Sequence, residues 1–179
     1  MEHSTEQKDY ILSVLAQNHS GVLLRIAGLF SRRCYNIKSI VAAQTADEKY
    51  SEMIIVVQGN DREVRQVDKQ LSKLVEIERV TILEPEKAVV REHLLLQVRR
   101  TKENSEALIS IANVFHANIL HIASDSMILE LTGDATTLDG FADLFQPYGV
   151  LKILRTGAMA MEKGISLTQR VGNFDADIR

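Results

Sequence analysis

Asn18-His19-Ser20-Gly21-Val22-Leu23, followed thirteen residues after Leu23 by Asn36-Ile37, reads as a tight turn from a strand into a helix, with a second strand beginning where the helix ends. Upstream, Tyr10, Leu12, Val14 and Ala16 share one face of Tyr10–Gln17, the alternation of a half-buried strand. Gly21 supplies backbone freedom in the turn, and Ser20 is the expected N-cap. Downstream, Val22, Ile26, Leu29 and Phe30 recur at helical spacing, a single apolar face. Such a turn surrounds a small hollow with unpaired backbone N–H groups and Asn side chains. No catalytic group is assigned nearby. The hollow suits holding an amino acid: helix-opening amides for its carboxylate, oxygens of Asn18 or Asn36 for its ammonium, and Val22, Leu23 and Ile37 for a small apolar side chain.

Asn36–Thr45 reads as a strand, Ala46-Asp47-Glu48-Lys49 as a reversal, and Tyr50–Gln58 as a central strand with apolar residues on both faces. Asn60 with Glu63 forms a capping-box pattern ahead of Val64, Val67, Leu71, Leu74 and Val75 at helical spacing. Glu76–Leu83 completes the order βαββαβ. The charged, proline-containing Glu84-Pro85-Glu86-Lys87 separates it from a second pass through the same order. In that pass Val89–Val98 is a strand and Ser105–Phe115 a helix. Asn118–Ala123 and Met127–Leu131 are strands. Thr136 or Thr137 caps a helix carrying Leu138, Phe141, Leu144 and Phe145, and Val150–Arg155 is the closing strand. The expectation is an α+β protein of two tandem ferredoxin-like βαββαβ domains, 1–83 and 89–179, joined by a linker at 84–88. The repeat is one of architecture, without residue identity between the halves. Each core is small, which predicts packing between halves or between chains. Met159, Met161, Ile165 and Leu167 are expected to cover an edge, and Gly172–Arg179 to fray.

Composition narrows the function classes. The chain has 179 residues, 45% of them hydrophobic, and a net charge of −3. It therefore lacks the broad basic field of a nucleic-acid binder. A lone cysteine, Cys34, allows no disulfide framework. Residues 1–9 are polar and acidic, unlike a secretory or transit segment. No apolar run approaches the roughly 20 residues of a membrane span. A cytoplasmic protein, bound neither to membrane nor to nucleic acid, is expected. His116 and His121 match no helix-face metal pair. Glu76, Glu78, Glu84 and Glu86 read as a solvated acidic edge, and no catalytic or metal-ligating residue is assigned.

The string Asn18-His19-Ser20-Gly21-Val22-Leu23, then Arg25-Ile26, Leu29-Phe30, Arg33 and Tyr35-Asn36-Ile37, resembles the signature of the ACT domain. More closely it is similar to the regulatory small-subunit family of acetohydroxyacid (acetolactate) synthase. The likeness continues through Lys69-Gln70-Leu71-Ser72-Lys73-Leu74-Val75, Val89-Val90-Arg91-Glu92 and Arg155-Thr156-Gly157. The resemblance implies a non-catalytic regulator in branched-chain amino acid biosynthesis. Its ACT domains would pair side by side into a homodimer, binding valine, or leucine or isoleucine, between two copies for feedback inhibition. Asn18, His19, Ser20, Gly21, Val22 and Leu23 would come from one chain, and Asn36 with Ile37 would complete the site, Asn36 from the other. The regulator would bind and activate a catalytic subunit. Thiamine diphosphate, Mg²⁺ and FAD would reside on that partner, with no cofactor in this chain, which has no phosphate-binding glycine loop. Cys34 stands where the family usually has Gly, at a position suited to a left-handed backbone. Two other readings stay open. One is a stand-alone double-ACT amino-acid sensor governing another enzyme. The other is an acylphosphatase-like hydrolase, echoed by Gly21-Val22-Leu23-Leu24-Arg25.

Overall fold

The computed structural model describes residues 7–164. In the first half, β1 (Lys8–Gln17), α1 (Val22–Arg32), β2 (Asn36–Gln44), β3 (Tyr50–Gly59), α2 (Asp61–Leu71) and β4 (Ile77–Leu83) follow one another. The second half contains β5 (Ala88–Arg99), α3 (Ser105–Val114), β6 (Asn118–Ile122), β7 (Ser126–Gly133), α4 (Ala135–Phe145), β8 (Val150–Arg155) and β9 (Met159–Glu162). Each half is an antiparallel sheet with its two helices on one face. The strand orders are β2-β3-β1-β4 and β6-β7-β5-β8. Ala88, assigned to the linker from sequence, is the first, buried residue of β5, and Pro85–Lys87 form a short 3-10 turn. Ile165, Leu167 and 172–179 lie outside the described residues.

Alternation builds both cores. Leu12, Val14 and Ala16 of β1 face Val22, Ile26, Leu29 and Phe30 of α1 and Val64, Val67 and Leu71 of α2, all buried. In the second half Leu94, Leu96 and Val98 take the same role against Leu108, Phe141 and Phe145. The rings of Phe141 and Phe145 meet edge-on at 4.9 Å, the arrangement their quadrupoles favour.

The capping box that opens α2 is present. Asn60 Oδ1 accepts from Arg62 N (3.1 Å) and Glu63 N (3.0 Å), and Glu63 Oε2 accepts from Asn60 N (2.9 Å). Replacing Asn60 by Ala should therefore cost about 1 kcal/mol of stability. Urea unfolding measures this, and a loss near zero would show that α2 does not need its cap.

Several local expectations need correcting. α2 ends at Leu71, so Leu74 and Val75 lie in the following turn, and Val75 is exposed. The N-cap of α4 is Asp134, whose side chain accepts from Thr137 N, not Thr136 or Thr137. Glu76 is buried rather than solvated, and it pairs with Arg25 of α1 at 2.6 Å. Met159 and Met161 do lie along a strand, in β9 beside β5, though both side chains stay exposed.

The halves repeat more closely than their residues suggest. Cys34 (φ 55°) and His116 (φ 54°) are left-handed at the ends of α1 and α3, each two residues before the Asn that opens the next strand. Both following strands then carry a register shift, between Ile37 and Ser39 and between Ile119 and His121. Backbone geometry is thus shared where side chains are not.

The second half also covers the helix-free face of the first sheet. Strands β8 and β9 form one interrupted strand along β5, broken at Thr156–Ala158. Thr156 N donates to His93 O, and His93 N donates to Thr156 Oγ1. Gly157 (φ +82°) lies hard against Ser39 of β2, and Ala158 is buried beside it. Ile54 and Val56 point away from the helices of their own half yet are 7% and 8% exposed. The strap meets this face at Ser39, the cross-strand neighbour of Val56.

Candidate functional site

The N-cap of α1 is Gly21, not Ser20. Its φ is 92°, and no side chain caps the helix. A left-handed N-cap is open to glycine at little cost, and here it leaves the first turn of α1 bare. That turn carries no acidic residue either; Val22 N donates to His19 O at 3.5 Å, so the helix start keeps the N–H groups of Leu23 and Leu24 and its partial positive charge. Arg25 N closes the first intrahelical bond to Gly21 O at 3.0 Å.

Asn18, His19, Ser20 and Gly21 are all exposed. Asn18 is held from two directions by the β2–β3 hairpin: its N donates to Lys49 O (2.7 Å) and its Nδ2 to Glu48 O (2.9 Å). This leaves Asn18 Oδ1 as its remaining acceptor. His19 Nδ1 lies 3.0 Å from Ser20 O. Val22 is 3% exposed and packs into the core, so only its backbone faces the turn. Ile37 likewise packs on the core. The apolar side chains left at the helix start are Leu23, 48% exposed, and Leu24, 77% exposed. Sequence reasoning missed Leu24 and the hairpin carbonyls. An apolar residue off the helical stripe was the available signal for Leu24; the hairpin contacts had none.

Asn36 does not join the turn within one chain. It pairs with Gln58, at the end of the sheet where Lys8 pairs with Gly59. The turn follows Gln17, which pairs with Tyr50, at the end where Gln44 pairs with Ser51. Asn36 and Gln44 are eight residues apart along β2, about 27 Å at strand rise. Strand β2 is an edge of its sheet, with a row of backbone groups free to pair with another strand.

A bare glycine-opened helix beside an edge strand, repeated as a second βαββαβ half, defines an α+β protein of tandem ferredoxin-like halves, the first of ACT type. Residues 12–79 match the AHAS small subunit-like ACT domain and residues 91–164 match the family model described as small subunit of acetolactate synthase. The chain belongs to the acetolactate synthase small-subunit family. It is 41% identical to the probable acetolactate synthase small subunit of Archaeoglobus fulgidus over 155 residues, covering 87% of this chain and 97% of that one. It is 33% identical to the acetolactate synthase small subunit of Mycobacterium bovis over 157 residues, covering 88% and 94%. The crystal structure of the Thermotoga maritima acetolactate synthase small subunit superposes with a TM-score of 0.82 at 32% identity, covering 89% of this chain and 99% of that one.

Among the described residues no helix is long and apolar enough to cross a membrane, and no group of three or more His, Cys, Asp or Glu is placed to hold a metal ion.

Proposed function

We propose that this chain is the feedback sensor of a cytoplasmic acetolactate synthase, non-catalytic itself. It binds valine or a related branched-chain amino acid where two copies meet, and it activates a catalytic subunit that carries thiamine diphosphate, Mg²⁺ and FAD. The observation that carries the reading is the uncapped, glycine-opened start of α1. Family membership supplies the partner.

Sheet register supports a shared site. A two-fold axis through the middle of β2, near Ile40, would pair β2 antiparallel with its copy. Asn36 of the partner subunit would then sit opposite Gln44, at the same end of the sheet as the turn. The carboxylate would take the N–H groups of Leu23 and Leu24, and the ammonium Asn18 Oδ1 with the partner subunit's Asn36. The side chain would lie on Leu23. Each dimer would hold two such seats. An effector seated there shifts the protein only by its difference in affinity between two arrangements of the paired sheets, on a usual scale of about 1–3 kcal/mol.

Asn36→Ala tests the assignment. Asn36 is exposed and outside the core, so folding should be unaffected. Losing one hydrogen bond to a charged group should weaken valine about tenfold or more. Calorimetry reads this directly, and an unchanged affinity would remove Asn36 from the site.

A further inference from the structure

A cavity of about 360 Å³ lies at the junction of the halves, away from the turn of the first helix. Its floor is the helix-free face of the first sheet, around Ser13, and its roof is β9 from Ala160 to Glu162. Register fixes how its charges are spread. Leu15 of β1 pairs with Glu52 of β3 on one side and with Arg79 of β4 on the other. Opposite charges therefore flank β1, their backbones about 10 Å apart. They do not pair with each other, and among the described residues Arg79 has no ion-pair partner. The Ser13 hydroxyl donates to the Glu52 carboxylate and holds it in place. Glu162 brings a second carboxylate from the roof, while Leu83 and Ala160 supply an apolar wall.

We infer that this junction cavity binds a free α-amino acid, at a site separate from the turn. A zwitterion closes the gap that the register leaves. Its carboxylate pairs with the forked donors of Arg79. Its ammonium lies between Glu52 and Glu162, and its side chain runs along Leu83 and Ala160. A ligand with only one of the two charges leaves Arg79 or the carboxylates unmatched, which is the basis of selection. The occupant touches the first sheet below and β9 above, so it ties the strap of the second half to the first.

Calorimetry on the full-length Gly21→Asp chain, in which the turn is blocked, separates the two sites. The probes are the individual proteinogenic amino acids, with acetate and propylamine as single-charge controls. At least one amino acid should still bind, and neither control should. Arg79→Gln and Glu52→Gln, each added to that background, should lower the affinity about tenfold or more. Backbone amide resonances of Thr81 and Ala160 should move on binding, and those of Ser20–Leu23 should stay. A silent Gly21→Asp chain that still melts cooperatively overturns the inference, as does an affinity unaffected by both charge removals. The turn reading fails differently, with wild-type and Gly21→Asp chains giving identical isotherms.

Discussion

Gly21→Asp should abolish the response to valine while leaving the protein folded. The residue is the N-cap of α1 at φ 92°, and a Cβ built there meets nothing within 4 Å. The chain itself therefore accommodates the side chain. Left-handed backbone costs a non-glycine residue roughly 1–2 kcal/mol, and Asp is a better N-cap than Gly by only about a few tenths of a kcal/mol. Stability should fall by about 1 kcal/mol, small enough to leave the chain folded. The ligand fares worse, because the new carboxylate occupies the amides that its own carboxylate needs and repels it. A loss of about 100-fold or more in valine affinity is expected, from losing charge-assisted hydrogen bonds and adding a like charge. Activation of the catalytic subunit should persist. Equal loss of activation and of valine inhibition would show that the turn serves assembly rather than sensing.

Gly157→Val should be the most damaging change outside the cores. A Cβ at Gly157 would lie 2.4 Å from Ser39 Cβ and 2.7 Å from its Oγ, at φ +82°. Ser39 is part of β2, so relief requires moving an edge strand or lifting the strap. Overpacking of this kind costs about 1–3 kcal/mol, and the left-handed backbone adds roughly 1–2 kcal/mol. Urea unfolding should register a loss of about 3 kcal/mol. Adding Ser39→Gly should restore the packing share and leave the backbone share, so the pair should be non-additive. A loss under about 1 kcal/mol, within the range of ordinary surface substitutions, would mean that the strap is not seated on β2.

The fold was legible because its signals are local. Leu12, Val14 and Ala16 alternate, Val22, Ile26, Leu29 and Phe30 recur at helical spacing, and Asn60 with Glu63 marks a helix start. All keep their roles in the structure. The errors arose where tertiary context or backbone geometry decides. Ser20 has the better capping side chain, yet the left-handed Gly21 takes the N-cap. Glu76 stands among acidic neighbours in sequence, but Arg25 folds onto it from α1, far back along the chain. The strap at Gly157 and the junction cavity join residues from opposite ends of the chain, a relation no short window contains. At the turn, Val22 was given two roles, a place on the helical stripe and a place against the ligand, and its side chain keeps the first; Ile37 packs on the core as well. The structure also separates Asn36 from Asn18 along the sheet, which is why a seat using both must span two chains.

Mixing two defective chains tests that claim most directly. Gly21→Asp and Asn36→Ala homodimers should each bind valine poorly. In a mixed dimer one seat inherits both defects, and the other combines an intact turn with an intact Asn36. Random reassociation by refolding should therefore return valine binding at about one seat in four, with wild-type affinity. A mixture that binds no better than the average of its two components would place the whole site within a single chain and contradict the account.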